Sequence, residues 1–159
     1  MRMMLLFSIV SAVLLSVWGA TSLSAQSGSH DPSRFAYTRI YCTPNTETHF
    51  ETVTVELSKV SFAPPAPPAY VGDSRPASSA FFLGLDARWG VHDLENRLNH
   101  PAPAVQFVTV LEGVISVTTT DGETRRFRAG DVVRVEDTSP CKGHITVVGD
   151  KPGFFMVAR

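Results

Sequence analysis

Two imidazoles and one amide stand where polar chemistry could concentrate. His100 precedes Pro101, Gln106 sits in the run Val105–Glu112, and His144 follows Gly143. An imidazole titrates near working pH, so His144 is a candidate general base or acid, and either histidine could also bind a metal. Each has a plainer alternative. His100 could simply end a helix, and Gln106 could be a satisfied core amide rather than an inward site residue. Glu136-Asp137 could be paired carboxylates for acid–base work or, as we expect, a solvated turn with an Asx hydrogen bond. His49 and His92 read as surface residues that could also supply a ligand, and His30 falls in a leading segment of Ser, Gly and Pro.

Strands must carry these groups. From Val105 to Arg159 the chain alternates apolar and polar residues in VQFVTVLE, VISVTTT, TRRFR, DVVRVE, HITVVG and FFMVAR, the period of half-buried strands. Turn signals separate them at Glu112-Gly113, Asp121-Gly122, Ala129-Gly130-Asp131 and Gly149-Asp150. Upstream, TVTVELS has the same period, and Tyr37–Tyr41 and SSAFFLGLD have strand composition. PPAPP cannot donate hydrogen bonds inside a sheet and is expected to form a stiff strap on the outside, within residues 62–76. HDLENRLNH, residues 92–100, is the one helix-compatible piece, with Leu94 and Leu98 four apart and acids early. Trp89, Phe81, Phe82, Phe107 and Phe127 are expected in the core or cavity wall. Eight or nine short strands with one short helix near 92–99 make an all-β barrel or double sheet.

Residues 1–25 read as a secretory signal peptide. Arg2 precedes the uncharged LLFSIVSAVLLSVWGA, and small and polar residues follow, with cleavage expected after Ala25. The alternative is an uncleaved anchor, but a run of about 16 residues falls short of the ~20 needed to span a bilayer. Secretion, or export to a periplasm, is therefore expected, with no membrane association after cleavage. Residues 26–35 read as a disordered lead-in and 36–159 as a single domain. The whole chain has 14 basic and 15 acidic residues, and loss of Arg2 leaves 13 basic residues, for a net charge near −2. No basic run exceeds Arg125-Arg126, so nucleic acid is not an expected partner. Cys42 and Cys141 would reach an oxidising compartment either bridged or as two separate thiols, since spacing alone does not choose.

The stretch His100–His144 resembles the cupin superfamily, small jelly-roll barrels (double-stranded β-helices) that often hold a metal. Their first motif has two His one residue apart, three or four residues, a Glu, six residues and a Gly. Anchored on Gly113, Gln106 takes the Glu place, Ala102 the second His place and His100 the first. The second motif runs from Gly130-Asp131 to His144, so the core motifs fall within residues 100–149. HPAP…Q and EDT…GH also resemble a group of small cupins with those signatures. The resemblance implies a divalent transition metal (Fe, Mn, Zn, Ni or Cu) held at the barrel mouth by His100, Gln106 and His144. It further implies a small-molecule ligand or substrate and a homodimer. If the chain is an enzyme, oxygenase, isomerase or lyase chemistry is in the family's range. Ala102 removes one imidazole, and Gln106 replaces a carboxylate with a neutral oxygen. Two alternatives follow: a metal-free barrel that binds a small molecule without catalysis, or metal-free acid–base catalysis by His144.

Overall fold

The computed structural model describes residues 31–159, so the signal-peptide reading and His30 lie outside the described residues. Alternation becomes strand throughout, with β1 at Arg34–Cys42, β2 at Thr48–Glu56, β3 at Ser58–Val60, β4 at Ala69–Val71 and β5 at Ala80–Leu85. The single described helix, α1, spans Val91–Asn96, and then come β6 (Gln106–Glu112), β7 (Val114–Thr119) and β8 (Thr124–Arg128). β9 (Val132–Val135), β10 (His144–Val148) and β11 (Gly153–Ala158) complete the order.

These strands form a jelly-roll sandwich. One sheet has the order β2-β1-β9-β6-β11-β5, and a second has β10-β7-β8. Neighbours run antiparallel except β1 and β9, which pair in parallel with Thr38 opposite Val133. Strict alternation sends Ile115 and Val117 of β7, Val133 and Val135 of β9, and Phe155 and Val157 of β11 into the space between the sheets. Ile40, Phe50, Val110, Phe127 and Val148 close the same core. Burying a side chain such as Phe155 contributes roughly 1.5–3 kcal/mol relative to leaving it in water.

Several expectations need correction. Regular structure begins at Arg34 rather than Ala36, because Arg34 and Phe35 pair with Glu56 and Val55, and the Arg34 guanidinium meets the Glu56 carboxylate at 2.7 Å. The proline-rich piece is not a strap laid along the sandwich. Pro64–Pro68 form the connection of a β3–β4 hairpin whose strands pair only with each other. α1 stops at Asn96, closed by Arg97 in the left-handed region, and Leu94 and Leu98 are both exposed. Phe82 is 80% exposed, because β5 is an edge strand whose alternation turns this ring outward. Phe107 also faces outward, beneath the Arg134 guanidinium. Cys42 and Cys141 are bridged, with Cα atoms 6.0 Å apart.

Candidate functional site

A cavity of about 270 Å³ opens between the sheets at the end where β6 begins and β10 begins. Its wall is mostly apolar: Ile40, Leu85, Val108, Val117, Val135 and Phe155 among others. His100, Gln106, His144 and Thr146 supply the polar part, with Trp89 beside them. Residues separated by more than forty positions therefore meet at one pole, because alternation aims each inward from a different strand or strand end.

Backbone pairing fixes the two imidazoles. His100 and His144 form an antiparallel bridge, each N–H donating to the other's carbonyl at 2.9 and 3.1 Å. Gly143 makes this approach possible. Its φ is +86°, and a Cβ there would lie 2.2 Å from the His100 carbonyl. The two rings then meet edge to face with centroids 4.8 Å apart, and the Trp89 ring stands 6.2 Å from His100. Burial foremost, and then the charge of His144, hold the His100 imidazole below the usual range, against an opposing pull from Asp93 and Asp137. His100 is thus a neutral imidazole at neutral pH, and its Nε2 is buried without a partner.

Asp137 anchors His144. Its Oδ2 lies 2.7 Å from His144 Nδ1, with Asp137 fully buried and His144 only 7% exposed. A carboxylate oxygen accepts, so Nδ1 is the donor in this contact and Nε2 is the ring nitrogen left outside it. The solvated-turn expectation for Glu136-Asp137 is therefore overturned. Asp137 continues the inward alternation of Val133 and Val135 by one more step, and that period was the signal available in the sequence. Glu136, pointing the other way, pairs with Arg134 at 2.7 Å and with Arg39 at 2.5 Å. The disulfide pins the segment between Asp137 and His144 to the end of β1, and Thr48 Oγ1 donates to the Gly143 carbonyl at 2.7 Å.

Gln106 lines the cavity, but its Oε1 accepts from Arg159 Nε at 3.1 Å. Ala102, in the place of a second imidazole, is a buried wall residue. His49 pairs with Asp121 at 2.7 Å and His92 lies exposed near Asp93, so neither joins the cavity lining. Among the described residues no group of three or more His, Cys, Asp or Glu side chains could hold a metal ion. The donor set is thin for a resident metal: two imidazoles, and an amide oxygen turned to a guanidinium that repels a cation.

Residues 99–151, which contain both imidazoles, Gln106 and Asp137, match the family model described as an EutQ-like cupin domain. Over these residues the chain is similar to a cupin domain. No curated protein sequence matches the chain. Among solved structures it is similar to a protein named for ethanolamine utilization, protein Q of Salmonella typhimurium LT2. The identity is 18%, over 78% of this chain and 94% of that one, with a TM-score of 0.34. The family match coincides with the stretch whose spacing carried the resemblance, including Gln106 and Ala102 at places where cupins commonly carry Glu and His.

Proposed function

We propose that this protein binds a small, largely apolar organic molecule with one polar group, and that His144 exchanges a proton with that group. The Asp137–His144 pair at the polar end of an otherwise apolar cavity carries this reading. Asp137 holds the ring in one orientation and tautomer, leaving Nε2 as the acceptor, the arrangement a general base requires. Neutral His100, with an unpartnered Nε2, adds a second hydrogen-bonding group beside it. The apolar wall supplies affinity for the body of the molecule, and the low local polarity strengthens each polar contact.

Thermal unfolding with a panel of small phenols, aromatic acids and ketones tests this reading. The midpoint is expected to rise with apolar molecules bearing one hydroxyl or carbonyl, and the rise should shrink in His144→Gln. A panel without a stabilising member, or equal stabilisation of the variant, would overturn it. The metal-dependent reading, with Fe, Mn, Zn, Ni or Cu on His100, Gln106 and His144, has one observation in its favour: the unpartnered Nε2 beside a second imidazole. Elemental analysis of protein purified without chelator or histidine tag decides between them. A stoichiometric metal lost in both His100→Ala and His144→Ala would replace the metal-free reading.

The same proposal places the protein outside the cytoplasm. A disulfide between Cys42 and Cys141 suits an oxidising compartment, and export followed by amino-terminal sequencing of the mature chain checks it. A homodimer is also proposed, since the larger sheet ends in the open strands β2 and β5. A monomer in sedimentation at micromolar concentration would refute it.

A further inference from the structure

A second cleft, of about 320 Å³, lies near the same end of the larger sheet, and Gln106 borders both. Three arginines line it: Arg75, Arg134 and Arg159. Pro76 and Ala77 on one side and Phe107 and Ala158 on the other give it apolar walls. The segment carrying Arg75 is tied down there, because Ser79 N–H donates to the Arg159 carbonyl at 3.3 Å and Arg159 N–H to the Ser79 carbonyl at 2.9 Å. Arg134 and Arg159 are pre-set by aromatic faces, their guanidinium carbons lying 5.5 Å from the Phe107 ring and 5.0 Å from the Phe81 ring.

Among the described side chains the positive charge of this cleft is only partly compensated. Arg134 meets Glu136, but that carboxylate also serves Arg39. Arg159 donates to a neutral amide, and among the described residues Arg75 forms no ion pair. Guanidinium groups present planar forks that match an oxyanion, and apolar walls reduce the screening of the attraction. We propose that this cleft is a binding site for a small oxyanion, a carboxylate or phosphate group, separate from the main cavity. The inference does not depend on the chemistry assigned to His144. It carries a consequence for Gln106: an anion that engages Arg159 competes for the guanidinium that now holds Oε1, and so couples the two cavities.

Calorimetric titration of the whole protein with inorganic phosphate, and separately with acetate and succinate, is the test. Saturable binding of at least one of them is expected, and the responding anion identifies the group. Arg75→Gln and Arg159→Gln should each weaken it about tenfold or more, the scale of one lost charge-assisted contact. Arg88→Gln, which removes an exposed charge near Asp150, should leave it unchanged. Because Arg75 is exposed on a loop, its replacement should not disturb folding. No saturable binding of any of the three anions, or an equal loss in all three variants, would overturn the proposal.

Discussion

Asp137 Oδ2 and His144 Nδ1 lie 2.7 Å apart, both shielded from solvent, seven residues apart in the chain. The contact closes a loop that the disulfide at Cys141 and Thr48 at Gly143 also hold, so the ring has little freedom to turn. Replacing Asp137 by Asn keeps the shape and removes the charge from this contact. A loss of about 1.5–3 kcal/mol in unfolding free energy is expected, the range for a hydrogen bond involving a charged group. Urea unfolding that leaves the midpoint where it was would show that the pair contributes no stability.

His100 sets a pH dependence. Its folded-state affinity for a proton is lowered by burial and by His144, so the unfolded chain binds the proton more readily. The contribution is therefore fully present above the unfolded value of about 6.5 and is lost as pH falls through the lower folded value. The thermal midpoint should drop as pH is lowered below about 6.5, and His100→Gln should flatten that slope. An unchanged slope in the variant would assign the acid sensitivity to other groups.

The bridge between Cys42 and Cys141 spans 99 positions. In the chain-entropy model a loop of that length contributes about 4–5 kcal/mol by restricting the unfolded chain. The double variant Cys42→Ser/Cys141→Ser should unfold at markedly lower urea and should also bind cavity ligands less well, because the Asp137–His144 segment loses its clamp. Equal urea midpoints with and without the bridge would contradict this.

Gly143 and Gly130 separate two kinds of glycine requirement. Both have positive φ, +86° and +95°, but a Cβ at Gly130 meets nothing within 4 Å, whereas at Gly143 it meets backbone at 2.2 Å. Gly130→Ala should cost about 1–2 kcal/mol, from backbone conformation alone. Gly143→Ala should cost more than that and should separate His100 from His144, visible as altered imidazole resonances in nuclear magnetic resonance. Equal costs at the two positions would mean that the loop relaxes freely around the added methyl.

Much of the architecture was legible because it is local. Alternation in VISVTTT and DVVRVE, with Asp121-Gly122 and Gly130-Asp131 between runs, is imposed by backbone geometry within a few residues, and β7, β8 and β9 follow it closely. The spacing from His100 to Gln106 to Gly113 likewise marked the stretch that the family model matches. Asp137 was misread because a carboxylate after a strand is ordinarily solvated, and only the partner waiting at His144 makes its burial tolerable. Phe82 was misread for a related reason: its composition said strand, but not that the strand would be an edge.

The order of amino acids alone determined where strands β6 to β11 run and turn, since that follows from period and from the φ preferences of Gly and Asp. Tertiary structure decided the pairings: Cys42 with Cys141, Gln106 with Arg159 at the cavity's edge, and Asp137 with His144. Such pairs depend on where distant strands cross, and no local rule carries that distance. The polar character of this cavity rests on those crossings.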